Sequence, residues 1–115
     1  MFMSVSTFKA LPWRKQNEAI KPYILATLQD ISEPWSTKRV MLDVANRVGW
    51  LDTDLNYLPR ADSTLATVLK RFAQFEPGWA VRGEEFEFAG KPARRWEWQP
   101  QPKPDQAELL ADIFS

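Results

Sequence analysis

Residues 62–98, DSTLATVLKRFAQFEPGWAVRGEEFEFAGKPARRWEW, change their hydrophobic period part way along, and that change decides the fold class. In the first part Leu65, Val68, Leu69, Phe72 and Phe75 recur at i, i+3, i+4 and i+7, which puts them on one face of a helix. Asp62 or Ser63 supplies the cap, and Pro77-Gly78 stops the helix, because proline lacks the N–H and the ring clearance that a further turn needs. From Trp79 the period is two: Trp79 and Val81 lead into Glu85-Phe86-Glu87-Phe88, Ala89-Gly90-Lys91-Pro92 turns, and Arg95-Trp96-Glu97-Trp98 returns. This pattern predicts a β-hairpin. Its Phe86, Phe88, Trp96 and Trp98 are expected to roof the helices, with Glu85, Glu87, Arg95 and Glu97 on the other face.

Two more helices are expected upstream. Pro22 suits a first helical position, and Ile24, Leu25, Leu28 and Ile31 follow at helical spacing, so a first helix runs from about Lys21 to Ile31, with Asn17 a candidate cap for an earlier start, and ends before Pro34. Ser36 or Thr37 caps a second, in which Val40, Met41, Val44, Ala45 and Val48 form one stripe and Gly49 is the stop. Residues 1–16 show no sustained period and read as an N-terminal arm, with Phe2, Val5, Phe8, Leu11 and Trp13 available for packing. The domain proper is 17–98, residues 99–104 are a proline-rich linker, and 105–115 an acidic amphipathic tail.

Composition narrows the chemistry. A chain of 115 residues has room for one compact core, and 44% apolar with 13% aromatic residues is enough to fill it. Cysteine and histidine are both absent, which removes disulfides, thiolate and imidazole metal ligands, and the side chain that titrates near neutral pH. Asp52-Thr53-Asp54 is better explained as a turn than as a cation site, and neither a phosphate-cradling glycine loop nor a base beside a serine is present. No enzyme activity, metal or cofactor is therefore expected. No stretch is apolar for long enough to span a bilayer, and no signal-like segment opens the chain, so a cytoplasmic location is expected. Formal charge balances at 15 basic against 15 acidic residues, unlike the basic balance common in DNA-binding domains. The balance is uneven, however: residues 99–115 hold Lys103 against Asp105, Glu108 and Asp112.

Three helices followed by a hairpin, with Ser63 to Phe72 and then Pro77-Gly78-Trp79-Ala80-Val81-Arg82, resemble the winged helix-turn-helix superfamily over about residues 20–98. The resemblance implies an α+β fold in which the third helix enters the major groove of double-stranded DNA while the wing holds phosphates. It would present Ser63, Thr64, Thr67, Lys70 and Arg71 to base edges or backbone, with Arg60 just before the helix on phosphate. Lys91, Arg94 and Arg95 would act from the wing, and Lys38 and Arg39 from the start of the second helix. Each of these charges also has an ordinary role as a solvated helix face or a cross-strand partner of Glu85 or Glu87.

Such a protein would be a transcriptional regulator or a replication or mobile-element accessory factor. The alternative is a winged-helix adaptor or inhibitor that binds protein alone, because fold does not fix function. Leu109, Leu110, Ile113 and Phe114 form the apolar side of the tail and suit a partner groove, self-association, or packing back on the domain.

Overall fold

Four helices and three strands succeed one another along residues 2–103, the part of the chain that the computed structural model describes. They are α1 (Val5–Lys9), α2 (Trp13–Asp30), β1 (Trp35–Ser36), α3 (Thr37–Val48), α4 (Ala61–Phe75), β2 (Ala80–Phe88) and β3 (Lys91–Trp98). The strands form one antiparallel sheet in the order β1-β3-β2. The chain is thus α+β, and the expected second and third helices are α3 and α4. None of the helices among the described residues is long and apolar enough to cross a membrane.

The middle helix follows its sequence signals closely. Ser36 Oγ accepts from the Arg39 amide at 3.4 Å, and Val40, Val44, Ala45 and Val48 are buried. Gly49 takes the left-handed conformation at φ 77°, and the Trp50 and Gly49 amides return to the Ala45 and Asn46 carbonyls, a Schellman ending.

Upstream the expectations change. Helix α2 starts eight residues before Lys21, so Pro22 lies inside it rather than at its first position. Pro22 and Glu18 are both exposed, so water can satisfy the Glu18 carbonyl that loses its i+4 donor. The buried stripe begins at Ile20 and continues through Ile24, Thr27 and Leu28. The expected arm is part of the body: Ser4 caps α1, and Phe8 is fully buried and meets Trp50 edge-on at 5.3 Å. Trp50 in turn donates its indole N–H to the Met3 carbonyl at 2.9 Å. Residues 99–103 also lie against the body. Gln99 N donates to Trp79 O at 2.8 Å, Gln101 N to Leu28 O at 2.9 Å, and Lys103 Nζ pairs with Asp30 at 3.0 Å.

Helix α4 starts at Ala61, one or two residues earlier than the expected caps. Its N-cap is Arg60 at φ 68°, with no side-chain cap. The apolar face is as expected, apart from Phe75, which is exposed.

The hairpin departs most from a simple alternation. Ala80, Val81 and Arg82 pair with Trp98, Glu97 and Trp96, and Glu85 to Phe88 pair with Arg94 to Lys91, leaving Gly83 and Glu84 opposite Arg95 alone. This extra residue inverts the parity of β2. Phe86 and Phe88 consequently share a face with Ala93 and Arg95, not with Trp96 and Trp98. The continuous aromatic roof is therefore not formed. Trp98 is fully buried, with its indole N–H on Thr37 Oγ1 at 3.0 Å, whereas Phe88 is 69% exposed. The two-residue turn Ala89-Gly90 has positive φ at both positions, 52° and 76°.

Candidate nucleic-acid interface

The outer face of α4 carries Ser63, Ala66, Thr67, Lys70 and Gln74, all exposed and spaced along one stripe. No acidic residue interrupts the sequence from Ser63 to Phe75. Ser63 Oγ lies 3.2 Å from Arg60 O and Thr67 Oγ1 3.0 Å from Ser63 O, bonds within the helix. Both hydroxyls are exposed, and each can rotate to donate or accept outward. Thr64 is a correction to the expected face. It is buried rather than exposed, and its Oγ1 donates to Arg60 O at 2.7 Å, so it closes the first turn and reaches the surface only at the edge of the hollow beside α4.

Arg71 is half-buried, and its guanidinium is held by Gln16 Oε1 at 3.0 Å. Gln16 Nε2 also donates to the carbonyls of Phe8 (3.2 Å) and Leu11 (3.1 Å), which fixes its own orientation. One amide thereby ties the end of α1 to α4 and sets where Arg71 points. Lys9, Gln16, Ser63, Thr64, Thr67 and Arg71 surround one shallow hollow of about 200 Å³. Lys9 and Gln16 escape sequence reasoning because the arm shows no period that would place it beside α4. Lys70 is exposed on the outer stripe, and Arg60 is exposed at its start, followed by Asp62 in the first turn. Burial and then the Asp62 charge push the neighbouring Tyr57 hydroxyl above its ordinary value.

A second basic group gathers between α3 and the hairpin. Pairing of β1 with β3 sets Lys38, in the first turn of α3, along a groove of about 490 Å³ shared with Arg94 and Arg95. This group and the α4 hollow are lined by different residues. Arg95 stacks in this groove, 4.6 Å from the Phe86 ring, while Arg82 lies 4.7 Å from Trp96 on the other face of the hairpin and Arg39, next to Lys38, 4.3 Å from the Trp35 ring. Arg82, which also donates to the Arg94 carbonyl at 3.0 Å, is a further basic residue that sequence reasoning passed over. The cue would have been its cross-strand position opposite Trp96. Arg94 faces Glu85 at 3.7 Å and Arg39 faces Glu33 at 4.0 Å, both exposed pairs that cost little to open. Lys91 is exposed next to the turn.

Asp52 serves the loop. Its Oδ1 accepts from the amides of Asp54 (2.8 Å) and Asn56 (3.0 Å), the side-chain turn that accounts for the Asp52-Thr53-Asp54 pattern. Leu109, Leu110, Ile113 and Phe114 lie outside the described residues.

No protein-family model matches the chain, and no curated protein or solved structure matches it.

Proposed function

We propose that the chain is a double-stranded-DNA-binding protein of the winged helix-turn-helix type, serving as a regulator or as a replication or mobile-element accessory factor. Helix α4 enters the major groove, and the β2–β3 hairpin with the start of α3 holds the backbone. The observation that carries this reading is the outer stripe of α4, small and polar and free of acidic side chains, with Lys70 on it and Arg71 and Lys9 beside it. Support also comes from the topology: a short strand before α3 pairs with the last strand, which suits a fold that brings Lys38 towards Arg94 and Arg95.

Ser63 and Thr67, small and exposed, can donate to or accept from base edges in the major groove. Lys70 addresses guanine or phosphate, and Lys91, Arg94 and Arg95 address phosphate. Neither role needs a metal or a cofactor.

Fluorescence anisotropy on duplex DNA across a salt series tests this. Affinity should fall steeply with salt, and Lys91→Ala should weaken all sequences alike while lowering the salt slope by about one. Thr67→Ala and Ser63→Ala should instead change sequence preference. Absence of binding at low salt removes the proposal. It would then favour a protein-only adaptor, a reading supported by the balanced charge and by the Glu85 carboxylate 3.7 Å from Arg94.

A further inference from the structure

The loop after α3 holds a leucine outward in a conformation that side chains rarely adopt. Leu55 has φ 63° and is 64% exposed. It is fixed there by Asp52: the Leu55 amide donates to Asp52 O at 3.0 Å, and the Asp52 amide donates to Asn56 O at 2.8 Å. Leu55, Leu42, Leu51 and Trp35 line a groove of about 300 Å³ between this loop and α3, with Arg39 on its rim. Leu42 is exposed as well. An apolar surface presented on a strained and well-braced loop calls for an occupant.

The path of the chain indicates which one. Lys103, where the described residues end, pairs with Asp30, Arg47 bonds both Asp30 and Asp43, and Asp43 lines the groove. The last described residue therefore stands three side-chain contacts from the groove wall. Leu109 lies six positions further along the chain, enough to span roughly 20 Å when extended. The following sequence places Leu109, Leu110, Ile113 and Phe114 at helical spacing, with Asp105, Glu108 and Asp112 and no basic residue. Charge agrees. The Asp43 carboxylate is already occupied by Thr27 Oγ1 at 2.6 Å and by Arg47 Nε at 2.7 Å, whereas Arg39 is largely exposed and meets Glu33 only at 4.0 Å.

We infer that residues 105–115 dock in this groove of the same chain, their apolar side against Leu42, Leu51, Leu55 and Trp35 and their carboxylates towards Arg39. Because Arg39 lies at the start of α3, assigned above to the DNA backbone, the docked segment also competes with DNA, a consequence that rests on the proposed function. Docking itself does not.

Amide and indole NMR spectra of the full chain, with and without Leu110→Asp plus Ile113→Asp, test the docking. Shift changes should appear at Leu42, Asn46, Leu51, Leu55 and the Trp35 indole, independent of protein concentration and with a monomeric mass. Leu55→Asp, an exposed loop substitution, should reproduce those in α3 and at Trp35. The docking is overturned if these resonances stay fixed, if the changes fall instead at a second apolar hollow, lined by Trp13, Lys21, Phe72 and Phe75 between α2 and α4, or if they track formation of a dimer. With docking upheld, anisotropy on duplex DNA separates the two ideas. Several-fold tighter binding by the tail variant supports competition. No DNA binding by either protein leaves docking standing and removes the DNA reading.

Discussion

The two ends of the hairpin share an alternating sequence and differ in what surrounds them. At the proximal end Trp98 is fully buried against the helices and Ala80 beside it is buried too. At the distal end Phe88 is exposed, Phe86 is half-covered by Arg95, and charged side chains dominate. The boundary is the bulge at Gly83-Glu84, where the parity of β2 changes. Below it the hairpin closes the core, and above it the strands carry basic residues beyond the body. A period of two thus says that a strand is present, and burial decides what it is for.

Truncation at the two ends should show the contrast at its largest. Trp98→Ala removes a large, fully enclosed side chain and leaves Thr37 Oγ1 without its donor, so a loss of about 3–5 kcal/mol is expected. Phe88→Ala should cost no more than about 0.5 kcal/mol, as at other surface positions. Urea unfolding followed by far-ultraviolet circular dichroism measures both without depending on tryptophan emission. Comparable losses at the two sites would break the division.

The same division explains how much could be read from the sequence. Helix α3 was legible because cap, valine stripe and glycine stop are all local signals, and the outer face of α4 followed from its period. The start of α2 was hidden by polar residues such as Gln16, whose role is tertiary: it binds the end of α1 and holds Arg71. Thr64 looked available because a threonine on a polar stripe carries no sign that its hydroxyl turns back to Arg60. Strand β1 is two residues long and exists only through pairing with a strand some sixty residues later. The bulge left only a trace, the switch from Trp79 and Val81 to Phe86 and Phe88 across Gly83, which does not say which residue of the partner strand it faces. Local chemistry was therefore visible, and long-range partners were not.

Smaller effects should separate the tip from the body. Gly90 sits at φ 76°, and Gly90→Ala forces a Cβ into the left-handed region at a cost of about 1–2 kcal/mol. Ala89, at φ 52°, already carries that strain, so Ala89→Asn should gain about 0.5–1 kcal/mol by supplying the Asn-Gly pair that this turn favours. Hydrogen exchange distinguishes local from global consequences. Amides near the turn should respond to both substitutions, while those of α3 and α4 keep their protection. A uniform change across the helices would show instead that the tip and core unfold together.

The finest test concerns the strap of residues 99–103, which continues from Trp98 to Asp30. Hydrogen bonds from Arg47 and then Lys103 hold the Asp30 carboxyl below its ordinary value. A carboxylate depressed in this way contributes its stabilisation above the unfolded-state value of about 3.9 and loses it as pH falls through the lower folded value. Because Asp30 is exposed, the effect on overall stability is small, and the informative readout is local. A carboxyl ¹³C titration should place the Asp30 midpoint below that of an ordinary aspartate. In Lys103→Ala it should move up, yet stay depressed because Arg47 remains. The amide of Gln101, bonded to Leu28 O, reports whether the strap lifts at the same midpoint. If the Trp98 indole resonance stays fixed through that transition, the buried end of the hairpin is secured by the core alone. If it moves in step, the strap belongs to the body, and the boundary between the two regions lies one segment further along the chain.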